Sequence, residues 1–336
     1  MLYHPERLLI DARVLNLPVT RRVMANLPDL TPEFFRGRLP AGAGKDPPRD
    51  YLIAKRTLIV MPHPLRALRD CRPSADFELP LGASCPGLCQ YCYLQSSLGP
   101  RPYVKVYADL DAILTEVPEA IAAHPDRLVT FEGASLSDPI GVEHLTGSLG
   151  EVISFFGKQP HAYLRLVTKF AYTSGLVGLG HGSHTHIRYS LNTPHVAGGF
   201  EGGTDPVAAR IAAANEIGRA GYPIGFVLAP LMLYPGWRRE YEELLDYLAA
   251  NLERDLHREL TFELISHRFS AKAKQIILER FPRCRLDLDE ASRQIKYGRY
   301  GRKKFVYPAG EFNQLMYEVR ASIERFFPAA KVEYQV

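Results

Sequence analysis

The sequence contains no long hydrophobic run. None of its apolar segments reaches the roughly 18 uninterrupted residues that a membrane-spanning helix requires. Residues 1–7 are polar, include Pro5 and are not followed by an apolar stretch of signal-peptide length. The sequence alone therefore argues against a membrane span and a secretory leader, and we expect a cytoplasmic protein.

The chain also lacks a strong excess of either charge. Its 336 residues include 41 lysines and arginines against 37 aspartates and glutamates, which gives a net charge of +4. Any nucleic-acid surface must therefore come from local clusters of basic residues, because the bulk excess is too small to create one. Hydrophobic residues make up 46% of the chain, which is enough for a sizeable core.

Cysteine is scarce and unevenly placed. The chain has five cysteines, and three of them fall within eight residues: Cys71, Cys85, Cys89, Cys92 and Cys284. An odd number distributed in this way is a poor disulfide framework for a chain of this length. In a reducing compartment, clustered thiols usually bind metal or carry redox chemistry.

The sequence does contain an alternation of strand-like and helix-like segments. Short apolar runs predict strands over 77–81, 128–132, 163–168, 186–192, 224–229 and 260–265. Amphipathic segments predict helices over 110–123, 143–156, 207–220, 240–252 and 271–280. The alternation predicts parallel β/α units, in a doubly wound sheet or a partial (β/α) barrel, with the chemistry at the carboxyl ends of the strands.

The two ends of the chain differ from this middle part. Residues 1–75 are predicted to be an irregular N-terminal extension that packs on the barrel, with a short strand within 51–61. Residues 76–270 are predicted to form the barrel. Residues 271–336 are predicted to form a C-terminal region with a basic and aromatic β-hairpin near 297–307, suited to nucleic acid, and a closing helix over 311–327.

The cysteine cluster has the spacing C-x3-C-x2-C, formed by Cys85, Cys89 and Cys92. Pro86-Gly87 breaks any helix and predicts a tight loop in which the three thiolates converge. Thiolates suit iron–sulfur clusters and zinc, but a closed zinc site normally needs four ligands and no second pair follows. Three ligands on a 4Fe–4S cluster leave one iron open to chelate a methionine moiety. A buried helix face and a zinc site are the alternatives.

These residues resemble a known family. The cysteine spacing, with Tyr91 before the last cysteine, resembles the signature of the radical S-adenosylmethionine superfamily. The segment 89–103 is similar more narrowly to the spore photoproduct lyase family, and the similarity continues in order through 130–138, 165–169, 188–192, 225–230, 260–269, 285–290 and 298–301. The resemblance implies a partial (β/α)6 TIM-type barrel. It also implies an enzyme that cleaves S-adenosylmethionine reductively and repairs a thymine dimer in DNA, 5-thyminyl-5,6-dihydrothymine, by radical fragmentation of a carbon–carbon bond.

The resemblance further implies roles for individual residues. The 4Fe–4S cluster would be held by Cys85, Cys89 and Cys92. S-adenosylmethionine would be bound by Tyr91, Ser137, Lys169, Ser190 and Ala229. Tyr93 would lie between cofactor and lesion, and the lesion or its phosphates would be held by Arg299, Tyr300 and Lys304. An external flavodoxin-like or ferredoxin-like electron donor is implied, because the chain has no second cluster motif.

Ser135 departs from the family pattern. The family segment reads Glu-Ala-Ala-Cys-Thr-Ser-Asp, and its cysteine donates a hydrogen atom to the product radical. Residues 132–138 of this chain read Glu-Gly-Ala-Ser-Leu-Ser-Asp. Serine cannot replace the thiol, because an O–H bond is stronger than S–H by roughly 15–20 kcal/mol and each ~1.4 kcal/mol of barrier costs a factor of ten in rate.

Three explanations of Ser135 are open at this point. Another residue supplies the hydrogen atom, with Tyr91 or Tyr93 ranked before Cys71. Alternatively, the chain acts on a different nucleic acid or nucleotide and needs no thiol. In the third explanation it binds damaged DNA without productive repair. The sequence favours a monomeric DNA photoproduct lyase, with Tyr91, Tyr93 and Ser135 at the catalytic positions.

Overall fold

The computed structural model describes residues 2–37, 39, 46–64, 68–298, 301 and 303–336. Its strands are β1 (Arg7–Asp11), β2 (Glu33–Phe35), β3 (Thr57–Met61), β4 (Arg69–Asp70), β5 (Phe77–Glu78), β6 (Gly82–Ala83), β7 (Leu88–Cys89), β8 (Val104–Tyr107), β9 (Val129–Glu132), β10 (Ala162–Thr168), β11 (Thr185–Leu191), β12 (Glu201–Gly202), β13 (Ile224–Leu231), β14 (Thr261–Ser266), β15 (Gln294–Tyr297), β16 (Lys303–Val306) and β17 (Lys331–Gln335). Its helices are α1 (Pro18–Asn26), α2 (Pro47–Lys55), α3 (Leu94–Ser97), α4 (Leu110–Leu114), α5 (Glu116–Ala122), α6 (Glu143–Thr146), α7 (Ser148–Phe156), α8 (Pro194–Phe200), α9 (Val207–Arg219), α10 (Trp237–Asn251), α11 (Ala271–Arg280) and α12 (Ala309–Phe326).

The larger sheet is the predicted partial barrel. Its parallel strands lie side by side in chain order, β5-β9-β10-β11-β13-β14, so the sheet has no point at which the strand order reverses. A doubly wound sheet requires such a reversal, whereas a barrel does not. The partial (β/α)6 barrel is therefore confirmed.

Four details of the barrel were not predicted. β17 adds a further parallel strand beside β14, and β4 runs antiparallel to β5 at the other edge. The predicted helix over 143–156 is broken into α6 and α7 at Gly147, whose φ is +56°. Glycine adopts this left-handed conformation without the steric cost that a side chain would bring. The predicted helix over 110–123 is likewise two short helices, α4 and α5.

The N-terminal region is not irregular, contrary to our prediction. β1, β2 and β3 form parallel pairs, and with β8 and β6 they make a second, five-stranded sheet in the order β2-β1-β3-β8-β6. The predicted strand within 51–61 is the end of α2 followed by β3. β3 lies within the predicted 51–61 strand, whereas β1 and β2 were missed. They have only five and three residues, and the buried β1 lacks the alternating pattern that marks a half-exposed strand.

One hydrophobic core joins the two sheets. It contains Leu8 and Leu58 of the N-terminal sheet together with Phe131 and Leu164 of the barrel, all 1% exposed or less. A second apolar cluster lies above the barrel strands and includes Phe269 and Phe305, whose backbones hydrogen-bond to each other. Packing of Phe305 therefore fixes the hairpin β15–β16 to the end of the barrel. Within the described ranges, no helix is long and apolar enough to cross a bilayer.

Candidate active site

The three clustered cysteines lie in the loop that follows the first barrel strand, between β6 and α3. A Cβ added at Gly87 would lie 3.5 Å from Cys85 Sγ and 3.8 Å from Cys89 Sγ, so both sulfurs flank this glycine. The Cys92 N–H donates to the Cys89 carbonyl at 3.3 Å. Because the segment is a turn around β7 and not a helix, the alternative of a buried helix face is wrong.

A buried lysine supports this loop and was not predicted. Lys55, at the end of α2, donates from Nζ to Ser84 Oγ at 3.0 Å and to the Cys85 carbonyl at 2.8 Å. Burial raises the pKa of Cys85 to about 11, and the Lys55 ammonium acts in the opposite direction. A cation at this position would help to stabilise thiolates when a metal centre binds them.

The loop fits an iron–sulfur cluster by the chemistry of its donors. Three thiols are present, two of them around one glycine, and a cation lies at the base of the loop. In the described part of the chain, no three His, Cys, Asp or Glu side chains meet closely enough to hold a single metal ion. The sulfur ligands of an iron–sulfur cluster can lie farther apart than the ligands of a single metal ion, because each thiolate binds a different iron.

Lys169 connects most of the residues that were predicted to bind S-adenosylmethionine. Its Nζ donates to Ser190 Oγ at 2.6 Å and to the Ala229 carbonyl at 3.4 Å, and it lies 5.7 Å from the centre of the Tyr91 ring. The Lys169 ammonium also acts to lower the pKa of Cys89, although burial raises that pKa overall. Four predicted residues from separate elements therefore meet beside the cysteine loop.

Glu201 is the centre of this arrangement and was missed. Its carboxylate accepts from Lys169 Nζ at 2.9 Å and from Arg210 at 2.7 Å, and it contacts the Tyr91 hydroxyl. Burial acts to raise the pKa of Glu201, but Lys169 and Arg210 together lower it to about 2. Its backbone also pairs with Cys89. In the sequence, Glu201 stands out only as an isolated carboxylate before Gly202-Gly203. Nothing in the sequence indicated that it would pair with Lys169 and Arg210.

Ser137 and its neighbour Asp138 lie where the sequence predicted, after β9. Ser137 forms a bridge with Ser84, directly before the first cysteine. Burial raises the pKa of Asp138 to about 6, although Thr168 and the Lys169 N–H donate hydrogen bonds to its carboxylate. Asp138 therefore ties the ends of β9 and β10 together beneath the site.

Tyr93 and Ser135 meet on the other side of the barrel interior. The Tyr93 hydroxyl contacts the Ser135 carbonyl, and the Tyr93 residue is 65% exposed. Desolvation by the surrounding protein raises the pKa of Tyr93. Ser135 Oγ is buried and has no hydrogen-bond partner within the described ranges. The side chains of Tyr93 and Ser135 make fewer hydrogen bonds and ion pairs than the side chains around Lys169.

Of the predicted lesion-binding residues, Lys304 lies on the hairpin β15–β16. Lys304 is exposed on β16, opposite Lys296 on β15, so the hairpin carries a local basic patch. The predicted positions Arg299 and Tyr300 lie outside the described residues.

The comparisons with known proteins agree with this geometry. The family model described as spore photoproduct lyase matches residues 3–336. The spore photoproduct lyase of Geobacillus sp. (strain Y412MC61) is 42% identical over 284 residues, covering 84% of this chain and 83% of that protein. The spore photoproduct lyase of Clostridium acetobutylicum is 36% identical and covers 98% of both chains.

Solved structures match over the full length as well. A spore photoproduct lyase complexed with dinucleoside spore photoproduct has a TM-score of 0.96 at 37% identity, with 100% of both chains covered. A second one has a TM-score of 0.95 at 38% identity and 100% coverage of both chains. It carries a cysteine-to-alanine and a serine-to-cysteine substitution and has bound AdoMet and dinucleoside spore photoproduct.

A partial barrel whose first strand leads into a three-cysteine loop defines a radical S-adenosylmethionine enzyme, and the chain is a lyase of this class. With the family model matched over nearly the whole chain, it belongs to the spore photoproduct lyase family.

Proposed function

We propose that the chain repairs spore photoproduct, the thymine dimer 5-thyminyl-5,6-dihydrothymine, in DNA, using a 4Fe–4S cluster and S-adenosylmethionine. The observation that carries this proposal is the meeting of Lys169, Ser190, Ala229 and Tyr91 beside the cysteine loop. When bound, the cluster and S-adenosylmethionine supply a radical that removes a hydrogen atom from C6 of the lesion.

The residues around Lys169 would bind and orient S-adenosylmethionine. A lysine ammonium suits the carboxylate of the methionine moiety, and the Ser190 hydroxyl and the Ala229 carbonyl offer further polar contacts. Cys85, Cys89 and Cys92 would hold the cluster, and Tyr91 would pack against the cofactor. Because Glu201 and Arg210 already pair the buried charges, this half of the site is preorganised before any ligand binds.

The other half would receive the lesion. Tyr93, which follows Cys92 and contacts the Ser135 carbonyl, would lie between the cofactor and the lesion. Lys304, with Arg299 and Tyr300, would contact the lesion or its phosphates from the hairpin. Basic residues that contact phosphates fix the register of DNA, and aromatic residues stack on bases that leave the helix.

Several further points stay predictions. We expect a flavodoxin-like or ferredoxin-like one-electron donor, and a monomer. A reducing cytoplasm would keep the three loop thiols available to iron. The division into an N-terminal part (1–75), a barrel (76–270) and a C-terminal lesion-binding part (271–336) also stays a prediction.

The experiment is an anaerobic turnover assay of the reconstituted protein with dithionite, S-adenosylmethionine and dinucleoside spore photoproduct. We expect release of 5′-deoxyadenosine together with loss of the lesion. Release of 5′-deoxyadenosine without loss of the lesion would indicate a different nucleic-acid or nucleotide substrate. Binding of the lesion with no 5′-deoxyadenosine would indicate a damaged-DNA-binding protein. A colourless, iron-free protein that holds zinc would contradict the cofactor assignment.

A further inference from the structure

Repair of the lesion ends on a step that Ser135 cannot perform, and this inference rests on the proposed function. After the methylene bridge breaks, one thymine is left with a methylene radical that must gain a hydrogen atom to become a methyl group. Ser135 Oγ is buried and unpartnered in the part of the chain that the structure describes, and its O–H bond is too strong to supply the atom. The donor must therefore be sought elsewhere in the site.

The two nearby tyrosines are poor candidates. The hydroxyl of Tyr93 contacts the Ser135 carbonyl, and the hydroxyl of Tyr91 contacts the Glu201 carboxylate. In each case the phenolic hydrogen is directed into a hydrogen bond with a fixed acceptor. Apart from tyrosine, the side chain whose bond to hydrogen is weak enough to donate a hydrogen atom is the cysteine thiol.

All five cysteines lie in described ranges, and they can be compared directly. Three belong to the cluster loop. Cys284 packs against the apolar group of Phe281 and Leu286, and its sulfur accepts the Leu286 N–H at 3.4 Å. Only Cys71 is left, and it lies at the end of β4, the strand that borders the first barrel strand.

The backbone holds Cys71 in a tight turn next to the barrel interior. The Cys71 N–H donates to the Asp76 carbonyl at 3.1 Å, and the Cys71 carbonyl accepts the Ser74 N–H at 3.2 Å. From the same turn, Ser74 Oγ donates to the Glu132 carboxylate at 2.5 Å. Glu132 ends β9, only three residues before Ser135. The Ala134 N–H, directly before Ser135, donates to the same carboxylate at 3.3 Å, so Glu132 links this turn to the segment that carries Ser135.

The Cys71 thiol lies among charged groups near the end of β9. Burial raises the pKa of Cys71 to about 12, and the carboxylates of Glu132 and Glu78 add to this effect. Tyr93 reaches the same end of β9, because its hydroxyl contacts the carbonyl of Ser135, three residues after Glu132. Arg188, paired with Glu132, is the cation that faces Cys71. The thiol is therefore protonated at neutral pH, as hydrogen-atom donation requires.

We infer that Cys71 is the hydrogen-atom donor of this enzyme, in place of the cysteine that Ser135 replaces. The S–H bond breaks homolytically, the hydrogen atom forms the third C–H bond of the thymine methyl group, and a sulfur-centred radical is left on Cys71. One electron from the flavodoxin-like or ferredoxin-like donor and one proton from solvent restore the thiol.

The test compares Cys71→Ser with Cys284→Ser as the matched control and with Cys71→Ser/Ser135→Cys as the rescue. In Cys71→Ser we expect 5′-deoxyadenosine release to be retained within about twofold, while the yield of clean thymine product falls by at least ~10-fold. The control should keep the wild-type yield, and the double variant should recover it. A wild-type product yield from Cys71→Ser, or no recovery in the double variant, would overturn the inference.

Two measurements keep the inference testable if Cys71→Ser does not fold. In D2O the unmodified enzyme should place solvent deuterium in the new methyl group, because a thiol exchanges its hydrogen; absence of deuterium overturns the inference. Without reductant, S-adenosylmethionine and the lesion together should slow iodoacetamide labelling of Cys71 several-fold and leave Cys284 unchanged. Equal labelling with and without ligands would place Cys71 outside the site. A failure of lesion consumption in the wild type would instead count against the proposed function.

Discussion

The two halves of the candidate site are built differently. On the cofactor side, Lys169, Glu201 and Arg210 form a buried chain of ion pairs, with Glu201 5% and Arg210 1% exposed. On the lesion side, Tyr93 is 65% exposed and Ser135 Oγ has no hydrogen-bond partner within the described residues. The first half is complete without ligand, whereas the second offers groups that a ligand would have to satisfy.

This difference suggests which half tolerates change. A buried ion-pair network loses stability when one partner is removed, because the remaining charge is left unpaired. An unpartnered hydroxyl imposes no such constraint on its neighbours. A substitution at Ser135 is therefore expected to leave the fold and the ion pairs around Lys169 intact.

The largest loss of activity should come from removing a cluster ligand in the cysteine loop. We expect Cys89→Ser to lose the cluster, because a serine hydroxyl is a poor ligand for iron, and to abolish 5′-deoxyadenosine release. Iron content should fall from about four per chain towards zero. Cys284→Ser is the control and should keep its iron. Equal iron in the two variants would show that the loop is not the cluster site.

The next effect concerns the ion pairs beneath the cofactor. Glu201→Gln should reduce the free energy of unfolding at pH 7 by about 3–5 kcal/mol, because Lys169 and Arg210 lose their shared carboxylate. The exposed Glu243→Gln breaks only a pair with Arg239 and should cost under ~1 kcal/mol. Urea unfolding measures both, and equal losses would contradict the comparison between buried and exposed pairs.

The same variant gives a pH dependence with a defined sign. The pKa of Glu201 is lowered to about 2 in the folded protein, from an ordinary value of 4.5. Its contribution to stability is thus present above pH 4.5 and is lost as the pH falls towards 2. The stability gap between wild type and Glu201→Gln should narrow over this window. If the difference in unfolding free energy between wild type and Glu201→Gln stayed constant down to pH 2.5, the charged form of Glu201 would not be stabilised by its neighbours.

The smallest effect should come from the lesion side. Lys304→Ala on the hairpin should weaken DNA binding by a few-fold at low salt and reduce the salt slope of log K by about one. Lys158→Ala is the control, because Lys158 is exposed between α7 and β10, at the opposite end of the barrel strands. A titration by fluorescence anisotropy at several salt concentrations measures both. An unchanged slope in Lys304→Ala would remove this lysine from the DNA contact.

The sequence predicted the barrel strands well and the N-terminal sheet poorly. The runs that became β10, β11, β13 and β14 are six to eight residues long, and helices separate β11 from β13 and β13 from β14. By contrast, β1 and β2 have five and three residues. β1 pairs with β3, and β3 pairs with β8, so this sheet joins segments far apart in the chain. Local periodicity cannot report such long-range pairing, and β17 escaped for the same reason.

The sequence by itself determined the class of chemistry, since the spacing of Cys85, Cys89 and Cys92 and the order of the β/α units are local properties. It also showed a serine at position 135, where the family resemblance implies a hydrogen-donating cysteine. Only the tertiary structure joined Lys169 to Glu201 and linked the turn at Cys71 to Glu132 through Ser74, because these contacts depend on which strands become neighbours. Burial and charge pairing arise from that juxtaposition, and no single segment of the chain encodes them.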